Sequence, residues 1–238
     1  MITVEIDHRV GAVTLDRPKR LNAFTGEGYA ELAAVLARLD TDDTVATITI
    51  QGAGRAFSSG VDLDALRGAD MAAVAAAFRQ LVHTLSTLET PLVAGVHGAA
   101  VGFGATLLLH CDIVVVARDA RIRFPFTELG TVPEAGSSVL LARAVGAQRA
   151  AELVLTARWI DGDEAVALGL ATEAVAADEL PARLRTLAHS ISRHPTPVLS
   201  ETKRVMRSGL DELVAAAVAR EMEAGGRLTA FFRPLTGR

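Results

Sequence analysis

The sequence predicts an α/β fold with a mainly parallel sheet, followed by a region made of helices alone. Half of the 238 residues are hydrophobic, which is enough to fill one large core. Short apolar runs alternate with helix-like segments as far as about residue 176, a pattern typical of parallel sheets. We therefore divide the chain into a core of residues 1–177 and a helical region of residues 178–238. The apolar helix faces of the second region must pack on the core or on another subunit.

Several segments show the apolar runs, or the alternation of apolar and polar residues, that strands require. The predicted strands are residues 2–6, 10–15, 45–50, 92–96, 112–117, 121–124 and 171–175. The first two flank a tight turn and therefore predict a β-hairpin.

Helical segments separate these strands and fill the end of the chain. Thr25 can cap a helix whose apolar face includes Tyr29, and Asp161 with Glu164 resembles a capping box. Residues 102–109 are apolar on all sides, which predicts a buried helix. Besides the short helix after Asp161, the predicted helices are residues 25–39, 72–88, 102–109, 134–145, 148–155, 178–193, 197–207 and 211–223.

Composition argues against several classes of function. The formal net charge is −4 and no block of like charges occurs, so nucleic-acid binding is disfavoured. The longest apolar stretch, residues 98–109, is too short to span a bilayer, and the N-terminus shows no signal-peptide pattern. The single cysteine, Cys111, fits a reducing compartment, and no metal-ligand spacing is present. We expect a cytoplasmic protein without a metal or membrane partner.

Two glycine-containing loops, residues 56–63 and 98–104, each follow a predicted strand and each precede a predicted helix. Glycine adopts backbone dihedrals that other residues resist, and it lets a backbone come close to a ligand. Two such loops side by side could aim two backbone N–H groups at one oxygen. Such an oxyanion site is often the largest single term in catalysis.

Two other interpretations of these loops fit less well. Residues 56–60 nearly match the nucleophile elbow of serine hydrolases, with Ser58 as the nucleophile, but Ala56 replaces the first glycine. The loop around Gly102 precedes a helix, as in a dinucleotide site, but Leu107 stands where the third glycine is required. The histidines that could serve a hydrolase are more typical of structural positions within apolar elements; they are His83, His97 and His110.

Two acidic residues, Glu128 and Glu134, bracket a short loop after a predicted strand. Glu134 follows Pro133 at the predicted start of a helix, where the helix dipole favours a carboxylate. Glu134 is therefore either an ordinary first-turn residue or a general base that the dipole keeps ionised. Glu128 lacks that position and is predicted to be structural.

Four segments resemble motifs of the crotonase superfamily, the enoyl-CoA hydratase/isomerase family, and they occur in the family's order. They are residues 15–23, residues 52–63, residues 96–104 followed by Cys111 and Asp112, and Glu164–Ala165 with Gly169–Leu170. The resemblance implies a crotonase-like spiral of ββα units with a C-terminal helical appendage. It also implies an acyl-CoA thioester substrate, no cofactor beyond that coenzyme A, and a homotrimer or homohexamer.

The resemblance also assigns site residues. The backbone N–H groups of Val61 and Phe103 would hold the thioester oxygen, and the carbonyls of Ser59 and Val61 would meet the adenine. The substrate-binding positions that it implies are Arg20, Ser59, Val61, Asp62, Leu63, Asp64, Phe103 and Phe126. Further candidates for phosphate contact are Lys19, Arg55 and Arg67.

The departures from the family pattern indicate the reaction. Thr106 and Phe126 stand where hydratases carry the two glutamates that activate water, and neither side chain can do so. Residues 125–138 resemble instead the isomerases that convert 3-enoyl-CoA to 2-enoyl-CoA, whose single catalytic glutamate corresponds to Glu134. The alternatives are a hydratase, a thioester hydrolase, a decarboxylase or a non-catalytic acyl-CoA-binding homologue. Residues 230–233 resemble the closing segment of the family, after a stretch that is shortened.

Overall fold

A computed structural model describes residues 1–229 of the chain. Its strands are β1 (Ile2–Asp7), β2 (Val10–Leu15), β3 (Thr47–Gly52), β4 (Ala56–Ser58), β5 (Leu92–Val96), β6 (Ala99–Val101), β7 (Ile113–Ala117), β8 (Arg121–Arg123) and β9 (Glu173–Val175). Its helices are α1 (Gly26–Asp40), α2 (Met71–Thr87), α3 (Phe103–Thr106), α4 (Ser137–Val145), α5 (Ala147–Thr156), α6 (Gly162–Ala167), α7 (Leu180–Ser192), α8 (Thr196–Met206) and α9 (Leu210–Thr229). Short 3-10 turns lie at Pro18–Arg20 and Leu107–His110.

The strands form two sheets. The larger sheet has the order β1-β2-β3-β5-β7-β9, with β1 antiparallel to β2 and the other pairs parallel. The smaller sheet has the order β4-β6-β8 and is parallel. Successive pairs of strands thus add one strand to each sheet before a helix follows, which is a spiral of ββα units. The α/β prediction and the β-hairpin are confirmed.

Two short strands, β4 and β6, were not predicted from the sequence. Each has three residues, which is too short for an alternating pattern to be visible. They lie inside the two glycine-containing loops, so the smaller sheet pairs these loops directly through β4 and β6.

Local capping signals set the beginnings of several helices. Thr25 accepts a hydrogen bond from the backbone N–H of Gly28, and Asp161 accepts one from that of Glu164, as predicted. Asp70 likewise caps α2 through Ala72 and Ala73. The predicted helix at residues 102–109 is divided, because α3 tightens into the 3-10 turn at Leu107–His110.

The core of the molecule lies on both sides of the larger sheet. Leu32 and Leu36 on α1 and Leu85 on α2 are fully buried, and these two helices pack against each other. Helix α7 packs on β3, β5 and β7, and the absence of a side chain at Gly95 leaves room there for Leu184. The first helix of the predicted helical region is therefore packed against the core sheet.

The last two helices are attached to the core by polar contacts as well as apolar ones. The buried Lys203 ammonium donates to the Thr90 carbonyl oxygen and pairs with Asp112, each at 2.8 Å. Helix α9 packs on α2 and α4. No helix among residues 1–229 is long and apolar enough to cross a membrane. The segment 230–233, likened above to the family's closing segment, lies outside the described residues.

Candidate active site

The two glycine-containing loops meet at Gly60. This glycine has φ +88°, and a methyl group added there would lie 2.6 Å from the Val101 carbonyl oxygen and 3.3 Å from the Phe103 nitrogen. The absence of a side chain therefore allows both the left-handed backbone and the close approach of the two loops. The peptide that links Gly60 to Val61 consequently lies beside the amide of Phe103.

The amide hydrogens of Val61 and Phe103 have no acceptor within residues 1–229. Phe24 donates to the Gly60 carbonyl at 2.7 Å and accepts from Asp62 at 2.8 Å, which leaves the Val61 N–H between them unpaired. Phe103 begins α3, where first-turn amides have no intrahelical acceptor, and Gly102 has no side chain with which to cap it. Both donors remain available to an oxygen from outside the chain.

Ser58 supports this loop structurally. Its buried hydroxyl donates to the Asn22 carbonyl at 2.9 Å and accepts from the Gly60 amide at 3.1 Å. Gly104 lets α3 approach closely, because a methyl group there would lie 2.4 Å from the Ser58 carbonyl oxygen. These contacts occupy the hydroxyl and favour a structural role over that of a hydrolase nucleophile.

The three histidines considered for a hydrolase do not act as a base for Ser58. Two of them contact backbone carbonyl groups, and the third is exposed. His97 Nε2 is 2.9 Å from the Gly54 carbonyl oxygen, and His110 Nε2 is 2.8 Å from that of Ala135. His83 is exposed on α2. Burial lowers the pKa of His110 to about 4, so this ring is neutral at physiological pH.

Glu134 lies before α4 and not within it, which corrects the predicted helix 134–145. The helix begins at Ser137 because Ala135 and Gly136 have φ values of +57° and +74°, and left-handed residues cannot continue a right-handed helix. The helix dipole therefore does not act on Glu134 as a first-turn residue, and the proposed dipole effect on its ionisation is wrong.

The Glu134 carboxyl is partly buried and touches α3. Thr106 Oγ1 donates to Glu134 Oε1 at 3.2 Å. Burial raises the pKa of Glu134 to about 8, against the opposing effect of the Thr106 hydrogen bond, and the negative charge of Glu221 raises it further. A carboxyl group with this pKa is a stronger base than an exposed one, and it titrates near the operating range of a general base.

Helix α3 connects the carboxyl group to one of the free amides. Thr106 lies three residues after Phe103, and its hydroxyl also lies 3.3 Å from the Phe103 carbonyl oxygen. One helical turn therefore carries the Phe103 N–H at its start and the partner of Glu134 at its end. The local sequence around Thr106 predicts only that a glutamate is missing there, because a contact with a residue 28 positions away leaves no local pattern.

Aromatic rings pack around Phe103. Five pairs of rings among Phe24, Tyr29, Phe78 and Phe103 have centroids 5.0–5.5 Å apart. Burial, and after it the charge of Glu134, raises the pKa of Tyr29 well above its usual value, so the Tyr29 hydroxyl lies within electrostatic reach of Glu134. The sequence assigned Tyr29 only to the apolar face of α1.

The positions assigned to coenzyme A separate into three groups. Asp62 is buried, receives Arg17 Nη1 at 2.6 Å, and accepts the Asp64 and Ala65 amides at 3.1 Å, so its side chain organises the loop. The hydrogen bond from Arg17 holds the pKa of Asp62 below its usual value.

A second group forms an exposed rim. Arg20 and Asp64 pair at 3.4 Å, Leu63 is 59% exposed, and Ser59 donates its amide to Leu21. Arg67 lies 3.9 Å from Asp64, on the same rim. Phe126 stands apart from this rim, because it is buried in the core just after β8.

Glu221, on α9, is a further acidic group near the site. Its carboxylate accepts the Gly136 amide at 2.8 Å and the Ser138 amide at 2.9 Å. A signal for it exists in the sequence, because Glu221 continues the helical stripe formed by the buried Val214 and Ala217. A carboxylate within an apolar stripe must find buried donors.

Known proteins are similar to this chain in both sequence and fold. The family model described as enoyl-CoA hydratase/isomerase matches residues 5–229. A probable enoyl-CoA hydratase of Mycobacterium bovis is 37% identical over 193 residues, covering 81% of this chain and 75% of the relative. The 1,2-epoxyphenylacetyl-CoA isomerase of Escherichia coli K12 is 34% identical over 215 residues, covering 87% of this chain and 82% of the relative.

A solved structure agrees with these relatives. The enoyl-CoA hydratase/isomerase of Pseudoalteromonas atlantica T6c superposes with a TM-score of 0.90 at 35% identity, over 96% of this chain and 91% of that one. The similarity thus spans both sheets, both glycine-containing loops and α9. The chain belongs to the enoyl-CoA hydratase/isomerase family, the crotonase superfamily.

Proposed function

We propose that this family member is an isomerase that shifts the double bond of a 3-enoyl-CoA to give the 2-enoyl-CoA. The observation that supports this most directly is the Glu134 carboxyl, hydrogen-bonded to the helix whose first amide, that of Phe103, is free. Thr106 and Phe126 occupy the positions of the two hydratase glutamates. Glu221, the other buried carboxylate near α4, is already engaged by two backbone amides.

The reaction is an internal proton transfer. The protons on the second carbon of a 3-enoyl thioester are acidic, because they lie between the carbonyl group and the alkene. Glu134 removes one of them, and the electron pair moves onto the thioester oxygen to form a dienolate. When Glu134 returns the proton to the fourth carbon, the double bond closes between the second and third carbons. Atoms and electrons balance without a metal, a redox cofactor or an added water.

The free amides of Val61 and Phe103 stabilise the dienolate oxygen. Removing one donor of an oxyanion hole typically costs about 3 kcal/mol of transition-state stabilisation. The surrounding aromatic side chains exclude water, which strengthens these hydrogen bonds and raises the basicity of Glu134. A single base suffices because both proton transfers occur on one face of the substrate, whereas hydration requires a carboxylate pair.

The relatives differ in the reaction that their names describe. The Mycobacterium bovis relative is named a probable hydratase, and the Escherichia coli relative is named an isomerase of 1,2-epoxyphenylacetyl-CoA. The chemistry at positions 106, 126 and 134 therefore carries the proposal. The coenzyme A moiety is assigned to the exposed rim formed by Arg20, Ser59 and Asp64.

The proposal includes a homotrimer or homohexamer. Helix α8 supports this, because it exposes the apolar side chains of Val198, Val205 and Met206, the last being 80% exposed. Contact with another subunit would remove these side chains from water. Light scattering of the purified protein would measure the mass of the assembly.

The first test follows isomerisation directly. Purified protein is mixed with 3-hexenoyl-CoA, and the ultraviolet absorbance of the conjugated thioester is recorded. Glu134→Gln should lower kcat by about a hundredfold to ten-thousandfold, the usual contribution of a general base, while acyl-CoA affinity is retained. Glu128→Gln is the matched control, because Glu128 is an exposed carboxylate of the same loop that pairs with Arg123.

Other products would point to the alternatives. Hydration of 2-hexenoyl-CoA in the absence of isomerisation would identify a hydratase. Release of free coenzyme A or of carbon dioxide from a panel of thioesters would identify a hydrolase or a decarboxylase. Tight binding without turnover of any thioester would identify a non-catalytic homologue, and normal turnover by Glu134→Gln would rule out Glu134 as the base.

A further inference from the structure

Glu221 connects the C-terminal helix to the loop that carries Glu134. The side chain is 7% exposed, and its two oxygens accept the amides of Gly136 and Ser138 at 2.8 and 2.9 Å. These residues are the N-cap and second residue of α4. The carboxylate therefore satisfies first-turn amides that no side chain of α4 itself caps, from 85 and 83 positions away in the chain.

No cation within residues 1–229 forms an ion pair with Glu221. Within these residues the two backbone amides are therefore the partners of its charge. Two charge-assisted hydrogen bonds and the positive end of the α4 dipole offset the cost of removing a carboxylate from water. Replacing the carboxylate with a neutral group would remove this stabilisation from the start of α4.

The segment that Glu221 holds is strained. Ala135 and Gly136 are consecutive left-handed residues, with φ +57° and +74°, and this conformation is unfavourable for an alanine because its Cβ comes too close to the following carbonyl oxygen. Such a turn persists where the surrounding structure fixes it. Three contacts do so here: the Glu221 hydrogen bonds, the His110 ring on the Ala135 carbonyl, and Val214 packed at Gly136.

We propose that Glu221 is a positioning residue, which holds the turn at Ala135 and Gly136 so that the Glu134 carboxyl contacts Thr106, on the helix that begins with the free Phe103 amide. The inference rests on the proposed function of Glu134. Glu221 itself does not contact the reacting atoms. It couples α9, the last described helix, to the geometry of the base.

The electrostatic surroundings of Glu134 provide a signature of this role. Among residues 1–229, the neutral Thr106 hydroxyl on α3 contacts the Glu134 carboxyl, and the side chains of Tyr29 on α1 and Glu221 on α9 interact with it electrostatically. His110 faces the adjoining carbonyl and is neutral because its pKa is about 4. Glu221 is thus the anion among these groups, and its removal should lower the pKa of Glu134. A residue that merely stabilises the fold would not shift that titration.

The variants are Glu221→Gln, Glu221→Asp and the control Glu223→Gln. Glutamine keeps the shape of Glu221 but loses the charge and one acceptor, whereas aspartate keeps the charge but shortens the reach. Glu223 lies two residues further along α9, is 73% exposed, and pairs with Arg227. Its replacement therefore tests the loss of a helix carboxylate without loss of the loop contact.

The first measurement does not depend on activity. Hydrogen exchange of peptides that cover residues 131–142 should become about tenfold to a hundredfold faster in Glu221→Gln and Glu221→Asp, because each loses a charge-assisted hydrogen bond. Exchange in Glu223→Gln should equal that of the wild type. The titration of Glu134, followed by carbon NMR with Glu134→Gln for assignment, should move to lower pH in Glu221→Gln.

The second measurement is kinetic. In both Glu221 variants kcat for 3-hexenoyl-CoA should fall about tenfold to a hundredfold, as expected for a displaced catalytic group, with KM unchanged. The acid limb of the pH–rate profile should move to lower pH in Glu221→Gln and stay in place in Glu221→Asp.

The outcomes separate the two proposals. A wild-type protein without isomerase activity would overturn the proposed function, and the exchange and NMR measurements would still decide the role of Glu221. Unchanged exchange together with an unchanged Glu134 titration would overturn the positioning role. If Glu221→Gln does not fold, the test relies on Glu221→Asp. Hydrogen exchange and kcat in Glu221→Asp that equal those in Glu223→Gln would contradict the proposal.

Discussion

At the scale of single residues, opposing effects act on the Glu134 carboxyl. Burial and the Glu221 charge favour its neutral form, whereas the hydrogen bond from Thr106 favours the ionised form. Burial is the largest of these effects, and the resulting pKa is about 8. Because a general base must be ionised to accept a proton, the activity of the free enzyme should rise with pH through this value.

The variant Thr106→Val tests the hydrogen bond that Thr106 donates to Glu134. Valine has the same shape as threonine but cannot donate a hydrogen bond, so the pKa of Glu134 should rise above its wild-type value. The acid limb of kcat/KM for 3-hexenoyl-CoA, measured between pH 6 and 10, should move to higher pH. At pH 7 the rate should fall about tenfold to a hundredfold, in keeping with the loss of one hydrogen bond to a charged group. Thr131→Val, at an exposed position in the Glu134 loop, is the control. An unmoved acid limb would contradict the role of Thr106.

At the scale of elements, the free amides depend on how closely β4, β6 and α3 pack. Gly60, Gly98 and Gly104 all lie where a side chain would meet the backbone of the neighbouring loop. At Gly98 an added methyl group would lie 2.0 Å from the Arg55 carbonyl oxygen. These glycines allow the two loops to approach each other, and each loop supplies one donor.

Gly60→Ala, with Gly68→Ala as its control, separates close packing from backbone strain. Both glycines are left-handed, with φ +88° and +80°, but no atom of residues 1–229 lies within 4 Å of a methyl group at Gly68. In Gly60→Ala the clash with Val101 should move the loops apart and lower kcat about a hundredfold to a thousandfold, as for the loss of an oxyanion donor. Gly68→Ala should cost about 1–2 kcal/mol of stability and leave kcat unchanged. Equal kcat in the two variants would argue against the loop contact.

At the scale of the whole molecule, buried polar groups attach the C-terminal helices to the core. Lys203 on α8 bonds the Thr90 carbonyl and Asp112, and Arg207 donates to the His110 carbonyl at 3.2 Å. Burial lowers the pKa of Lys203, and the nearby Asp112 opposes that change. On α9 Glu221 forms the corresponding contact with the loop of Glu134. The attachments therefore link the helical region to the active site as well as to the fold.

Lys203→Met tests the attachment of α8. Removal of one member of a buried ion pair leaves Asp112 without its main partner, so the free energy of unfolding should fall by about 3 kcal/mol. Urea denaturation followed by circular dichroism would measure this change. Arg204→Met is the control, because Arg204 is exposed and, in the part of the chain that the structure describes, forms its one ion pair with the neighbouring Glu201. Its effect should stay below about 1 kcal/mol, and equal destabilisation by the two changes would contradict the proposed attachment.

The features that the sequence predicted correctly depend on neighbouring residues. The β-hairpin, the caps at Thr25 and Asp161, and the strands of the larger sheet follow from periodicity and capping within a few positions. The start of α4 was predicted wrongly, because nothing in the local pattern shows that Ala135 is left-handed. That conformation is held by His110 and Glu221, which are distant in the chain.

The sequence by itself determined the fold class, the two glycine-containing loops and the identity of Glu134 as the candidate base. Only the tertiary structure decided how basic that carboxyl is, that Thr106 donates to it across 28 positions, and that Glu221 supports its loop from the other end of the chain. The reason is physical: periodicity and turn chemistry act between neighbours, whereas desolvation and buried hydrogen bonds depend on whichever residues the completed fold brings together.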